Sequence, residues 1–315
     1  MTGRVVLFGG AGFIGTALRG GLGRDVVAPT RGEVDLASGE AVASYLQRGD
    51  IVINAAGYAA ATDTSPSGLR RLRRDNVEAV RMLGRAAAAV GVDHVIHLSS
   101  VAAMGHRTGR MIREDDLLPP RTPYGQSKRD GEVALLAEAG GVPVTIVRPT
   151  SIFGEGRGLA ALLCRLSDLP VIPVVGGGSA LVPFSYVGNL VAAVDLLVEQ
   201  PTAGGRTFIV GDAESYPLRR IVTTLARALG RGRAPVVPVP TLAVRSLGRV
   251  ETALSRRMGR LPLLDPVRIE TLTSSVSYST AAFVEATGFE PPYPLETALE
   301  RIATWYRDAH RTPAR

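Results

Sequence analysis

The chain has 315 residues, of which 45% are hydrophobic and 21% charged, with a formal net charge of +7. That apolar content excludes disorder, and the length suits one large domain or two lobes. The basic surplus is spread over both halves instead of gathering on one face or tail, which argues against a nucleic-acid partner.

Val5–Phe8 reads as a buried strand, reached with no charged leader ahead of it. Helix Phe13–Gly21, strand Asp25–Pro29, helix Glu40–Gln47 and strand Asp50–Asn54 follow. Then come a long helix over Leu69–Val90, strand Asp93–Leu98, helix Tyr124–Ala139 and strand Val142–Val147. Strands alternating with helices imply right-handed crossovers, so residues 1–150 are expected to form an α/β doubly wound parallel sheet of the Rossmann type. The second half is less regular. Gly and Pro punctuate Pro170–Ser185, weaker strand–helix units recur at Phe184–Val198 and Phe208–Gly230, and helices are expected at Leu242–Arg260 and Leu295–His310. Residues 151–315 thus read as a smaller C-terminal substrate lobe, with segments near 184–210 returning to the core sheet. No apolar run approaches the ~18 residues a membrane helix needs. The expected location is the cytoplasm.

Ligands of an open α/β sheet bind beyond the carboxyl ends of its strands. After the first strand stands Gly9-Gly10-Ala11-Gly12-Phe13-Ile14-Gly15. Gly9 allows a tight turn, Gly12 lets backbone approach a pyrophosphate, and Gly15 lets the helix pack on the sheet with its N-terminus facing the anion. The strand before and helix after give this glycine pattern its dinucleotide-binding meaning. Thr30-Arg31 follows the second strand, and Arg31 suits the 2′-phosphate of NADP better than the bare ribose of NAD. Glu33 and Asp35 stand nearby, so NADP is favoured with NAD left open. Asn54-Ala55-Ala56-Gly57 offers a small-residue turn after the third strand.

Ser99 and Ser100 end the fourth strand, and Tyr124-Gly125-Gln126-Ser127-Lys128 opens the next helix. Of the 36 cations 35 are arginine, and Lys128 is the only lysine. Positions i and i+4 share a helix face, so a phenol and an ammonium can meet one ligand there. A nearby cation is expected to lower the Tyr124 pKa from its usual ~10, which makes Tyr124 a candidate acid/base.

Together these residues resemble the extended short-chain dehydrogenase/reductase family, also called NAD-dependent epimerase/dehydratases. The resemblance implies a cofactor loop at Gly9, Gly12, Phe13, Ile14 and Gly15, and adenine-side contacts at Asp35 and Leu36. It also implies cofactor-side roles for Asn54, Ala55, Ala56, Gly57, Asn76 and Ser99, and a nicotinamide border at Arg148-Pro149. Tyr124 moves the proton, Lys128 also holds the nicotinamide ribose, and Ser100 polarises the oxygen, if the family pattern carries over. Met104 and Val182 depart from the nucleotide-sugar branch, where Tyr and a diphosphate-binding Arg are common, although Arg206 or Arg268 offers a substitute. The tract Tyr186–Leu190 and the tail Pro262–Phe289 look closer to hydroxysteroid-dehydrogenase-like and 3-oxoacyl-reducing members.

The expected activity is NAD(P)(H)-dependent interconversion of a secondary alcohol and a ketone on a small molecule. The alternatives are a nucleotide-sugar 4-epimerase or 4-ketoreductase, and a non-catalytic dinucleotide sensor. The family also suggests a homodimer paired through Leu69–Val90 and Tyr124–Ala139. His94 and His97 read as structural, and His106 as a loop residue. Four scattered histidines and the lone Cys164 give no metal-ligand spacing and no intramolecular disulfide. In the helix from Leu242, a stripe of Ala243, Leu247, Val250, Leu254 and Met258 is expected to pack on the lobe, leaving Arg245, Arg249, Arg256 and Arg260 to solvent. Peripheral membrane contact through 242–260 is the less favoured reading.

Overall fold

The computed structural model describes residues 3–60, 63–105, 109–116, 118–156, 159–200, 205–212, 214–258 and 266–310. The first half contains β1 (Val5–Phe8), α1 (Phe13–Gly21), β2 (Val26–Val27), α2 (Gly39–Tyr45), β3 (Ile51–Asn54), α3 (Pro66–Arg73), α4 (Ala79–Val90) and β4 (His94–Leu98). Then follow β5 (Met111–Ile112), α5 (Pro123–Glu138), β6 (Val144–Pro149) and β7 (Ser151–Phe153). The remainder runs α6 (Leu159–Ser167), β8 (Ile172–Val175), β9 (Leu181–Val182), β10 (Phe184–Tyr186), α7 (Val187–Glu199), β11 (Thr207–Val210) and β12 (Tyr216–Pro217). It closes with α8 (Leu218–Ala228), β13 (Val236–Val239), α9 (Thr241–Arg257), α10 (Pro266–Thr273), β14 (Ser277–Tyr278), α11 (Ala281–Thr287) and α12 (Leu295–His310).

Six strands form one parallel sheet in the order β11-β6-β4-β3-β1-β2. This is the doubly wound architecture expected from the sequence. Alternation along β1 sends Val5 and Leu7 to one apolar cluster, with Leu18 and Leu190 from α1 and α7. Val6 and Phe8 go to a second cluster with Val42, Leu83 and Leu135 from α2, α4 and α5. Both faces are covered, which is why the strands read as continuous apolar runs. Phe8, Asn54 and His97 stand level across β1, β3 and β4, so the turns after these strands open onto one edge.

Of the 184–210 stretch, β11 enters the main sheet beside β6, while β10 pairs with β7 outside it. A separate core joins Phe153, Phe184, Tyr186, Ile221 and Leu299. Antiparallel β9 and β12 and parallel pairs β8–β13 and β5–β14 complete this part.

Two expectations change. The single helix over Leu69–Val90 is α3 and α4 joined by a π turn at Arg74–Glu78. A π turn inserts one residue and redirects its side chains, and here Asn76 is buried. The second change is α9, whose apolar stripe faces outward: Leu242, Leu247, Val250, Leu254 and Met258 are 51% to 75% exposed. Its inward side is Gly248 with half-buried Val244, Glu251, Thr252 and Ser255, small or polar groups that allow close approach to α10. Arg260 and the 262–264 part of the tail pattern lie outside the described residues, and so does His106. No helix among the described residues is long and apolar enough to cross a membrane.

Candidate active site

The turn after β1 is built by contacts that only glycine permits. Gly9 has φ +85°, and a Cβ on it would lie 2.5 Å from the Ala56 nitrogen, so the β1 and β3 turns touch backbone to backbone. A Cβ on Gly15 would lie 2.0 Å from the Gly9 oxygen. At Gly12 the space is more open, with the Gly9 oxygen at 3.3 Å. Gly12 caps α1 without a side-chain hydrogen bond and no acid stands in the first turn, so the helix N-terminus keeps its N–H donors for an anion. Phe13 lies against Gly154 and Gly156, while Ile14 packs into the core behind.

A cavity of about 250 Å³ opens over this turn, lined by Gly9, Gly12, Arg31, Asp35, Leu36, Ala55, Ala56 and Gly57. Arg71 and Asp75 also line it. Arg31 donates to Asp75 at 3.0 Å, Arg71 approaches the same carboxylate at 3.4 Å, and Arg74 holds Asp35 at 2.6 Å. Glu33 is turned back onto the Thr30 amide (2.7 Å) and hydroxyl (2.8 Å), which hold its carboxyl below the usual range. A bare helix N-terminus, a glycine cradle and guanidinium groups on one wall fit a dinucleotide carrying phosphates.

Asn54 and Asn76 shape the cleft from behind it. The Asn54 carboxamide oxygen accepts the Ala56 amide at 3.0 Å, and its nitrogen meets His97 Nδ1 at 3.1 Å. Asn76 accepts the Tyr58 amide at 2.7 Å and donates to the Tyr58 carbonyl at 3.0 Å and to Ser127 at 2.9 Å. The π turn therefore ties the β3 turn to α5.

Thr122 caps α5 by accepting the Gly125 amide at 3.0 Å, and Pro123 opens its first turn. Tyr124 and Lys128 follow one turn apart. Gly125 and Gly131 let α5 seat closely, since a Cβ on either would lie 2.1 Å from a backbone oxygen. The Ser100 hydroxyl accepts the Ala102 amide at 3.1 Å and lines one cavity together with the Tyr124 phenol. Buried Lys128 donates from Nζ to the Leu98 carbonyl at 2.8 Å, and Nζ stands 3.5 Å from where a Gly57 Cβ would be. It thus sits between the dinucleotide cleft and Tyr124.

The electrostatics differ from expectation at Tyr124. Burial raises the phenol pKa, and the Ser100 hydrogen bond opposes that only in part. Lys128 is itself pushed down to about 8 by burial, against the pull of Glu132. Its ammonium is engaged by the Leu98 carbonyl, so the anticipated depression of Tyr124 is not what the geometry produces.

Ser99 and Arg148 meet Glu132 on α5 rather than the cleft. Ser99 Oγ donates to Glu132, and Arg148 grips both carboxylate oxygens at 3.0 and 2.7 Å. Arg148 also donates to the Glu114 carbonyl at 3.1 Å, and Pro149 is buried at the end of β6. His94 bonds Thr145 at 2.8 Å, and burial lowers the pKa of both His94 and His97.

A second cavity of about 250 Å³ is lined by Ser100, Met104, Tyr124, Thr150, Ser151 and Tyr278 among others. Arg121 and Glu270 also line it, joined by a 2.8 Å ion pair. That pair carries no local sequence signal, because its partners are 149 positions apart. Val182 is buried in the lobe core, and Arg206 stacks on Phe208 at 4.8 Å without lining either cavity. The Arg268 side chain lies outside the described residues. No cluster of metal-ligating side chains occurs among the described residues.

A model of the NAD dependent epimerase/dehydratase family matches residues 5–211. The chain belongs to that family. It is 30% identical over 265 residues to the uncharacterized protein YbjS of Escherichia coli, covering 79% of this chain and 77% of that one. It is 25% identical to the UDP-glucose 4-epimerase of Vibrio cholerae, with 84% and 79% covered. It is 26% identical to the 3-beta-hydroxysteroid dehydrogenase of Mycolicibacterium neoaurum, with 98% and 93% covered. Among solved structures, the human epimerase family protein SDR39U1 with NADPH superposes with a TM-score of 0.76 at 21% identity, covering 96% and 99%. The dTDP-glucose 4,6-dehydratase DesIV of Streptomyces venezuelae, with NAD and TYD bound, gives 0.72 at 20% identity, covering 97% of each chain. These likenesses carry the extended short-chain dehydrogenase/reductase fold.

Proposed function

We propose that the protein is an NAD(P)(H)-dependent oxidoreductase that interconverts a secondary alcohol and a ketone. The observation that carries this reading is that Ser100 and Tyr124 line one cavity together, with Lys128 between it and the dinucleotide cleft. NAD(P)(H), when bound, supplies or accepts the hydride. The chain's own task is then to bind, orient and move a proton. Backbone N–H groups at the start of α1 hold the pyrophosphate, and Lys128 directs ammonium protons to a ribose hydroxyl. Tyr124 gives its phenolic proton to a carbonyl oxygen that Ser100 polarises. An ordinary phenol is protonated near neutral pH and burial raises its pKa further, so Tyr124 has a proton to give.

NADP is the preferred form in this reading. Glu33 and Asp35 are both engaged elsewhere, while Arg31 and Arg71 stand on the cleft wall. The substrate is a fairly apolar small molecule. Buried Val182 supplies no charge for a diphosphate, and Arg121 is already paired with Glu270. Arg121 is nonetheless the observation on which the nucleotide-sugar reading rests. NADPH consumption over a panel of steroid-like, acyl and sugar-nucleotide ketones separates the two. Net oxidation with an apolar ketone supports the reductase, whereas sugar epimerisation with no net cofactor turnover supports the alternative. Binding of the dinucleotide with neither outcome points to the sensor.

We also propose that two copies pair along α3, α4 and α5, the Leu69–Val90 and Tyr124–Ala139 stretches. A groove of about 670 Å³ runs there with Leu69 and Val133 exposed, and a monomeric mass in solution would refute this pairing.

A further inference from the structure

The amphipathicity of α9 is inverted relative to an ordinary surface helix. At 3.6 residues per turn, Leu247, Val250, Leu254 and Met258 fall within an arc of about 80°. All four are more than half exposed, as is Leu242 near the start of the helix. The side turned to the protein is instead Gly248 with Val244, Glu251, Thr252 and Ser255. Folding therefore leaves out of contact the very groups that water penalises most. The exposed part is also of one charge. Arg257 borders the apolar arc, and Arg249 and Arg245 lie further round from the same edge, all exposed. The one carboxylate in the helix, Glu251, is half-buried and accepts the Ser255 hydroxyl at 2.8 Å.

We propose that this outward face of α9 docks on an anionic lipid bilayer. The helix would lie in the plane of the interface, with its leucines, Val250 and Met258 among acyl chains. Arginine stems on one edge then carry guanidinium groups to the lipid phosphates. Charge complementarity selects an anionic surface over a neutral one, since Arg257, Arg249 and Arg245 are exposed and the nearest carboxylates among the described residues, Glu251 and Glu270, are half-buried and bonded to Ser255 and Arg121. The helix packs on α10, whose Glu270 lines the Ser100–Tyr124 cavity. A bilayer held on α9 is thus one helix away from that cavity.

The test is flotation of the purified full chain with vesicles of three parts phosphatidylcholine to one part phosphatidylglycerol, and with phosphatidylcholine alone. The native protein floats with the anionic vesicles, and raised salt or pure phosphatidylcholine weakens the association. Leu247→Glu/Leu254→Glu lowers partitioning about 100-fold or more, at roughly tenfold per buried leucine. Arg257→Glu, which leaves the stripe intact, lowers it by about five-fold or more. Both variants alter exposed positions and retain the native melting temperature. The proposal fails if the native protein does not float with anionic vesicles, or if the double variant floats equally well. It also fails if the double variant only changes the oligomeric mass, which would make the stripe a contact between copies.

Discussion

Replacing Lys128 with methionine should stabilise the fold near neutral pH while ending its chemistry. The ammonium is buried, and burial brings its pKa from 10.5 to about 8. At about 1.4 kcal/mol per pH unit, the charged form costs the fold on the order of 3 kcal/mol. Loss of the 2.8 Å hydrogen bond to Leu98 takes back about 1 kcal/mol, leaving a gain near 2 kcal/mol. Glu132 keeps Arg148 as a partner, so the substitution strands no carboxylate. With an unfolding entropy of roughly 2 cal/mol/K per residue, that gain raises Tm by about 3 °C. Between about pH 8 and 10.5 the unfolded chain binds more protons than the native one, so wild-type stability rises through this window. The gap in favour of Lys128→Met is therefore full below about pH 8 and closes toward pH 10.5. Thermal unfolding of both proteins at neutral and alkaline pH reads it directly. A methionine variant less stable than wild type at neutral pH, or a gap indifferent to pH, would refute the reasoning.

Three further outcomes follow from the geometry. Gly15→Ala places a methyl 2.0 Å from the Gly9 oxygen, so it should cost about 1–3 kcal/mol and abolish dinucleotide binding by titration. Glu132→Gln removes the buried carboxylate that half-buried Arg148 grips, which should cost about 3–5 kcal/mol in denaturant unfolding; a change under about 1 kcal/mol would mean the network is not structural. Arg31→Ala and Arg71→Ala should each weaken NADP(H) binding about tenfold with little change for NAD(H), and equal losses for both cofactors would refute the 2′-phosphate assignment.

The parallel sheet was legible because its strands are continuous apolar runs separated by helix-period stretches, a pattern set by local sequence. The Gly9–Gly15 turn was legible for the same reason, since strand, glycines and helix are contiguous. What escaped notice depends on partners far apart in the chain. Ser99 and Arg148 stand where the family pattern suggests cofactor contact, yet Glu132 engages both across the interior. Periodicity showed that α9 has an apolar stripe but not which way it faces, because small Gly248, Thr252 and Ser255 compete for the inward side. The π turn at Asn76 was likewise hidden, since one inserted residue leaves a long helical pattern almost unchanged.

In the proposed reaction Tyr124 transfers the proton while Ser100 and Lys128 orient the reacting groups. Single-turnover oxidation of bound NADPH by a reducible ketone, compared between wild type and Tyr124→Phe, tests it most directly. The account predicts a rate loss of about 10²–10⁴-fold with NADPH affinity unchanged within a few-fold. A Tyr124→Phe rate within a few-fold of wild type would contradict it.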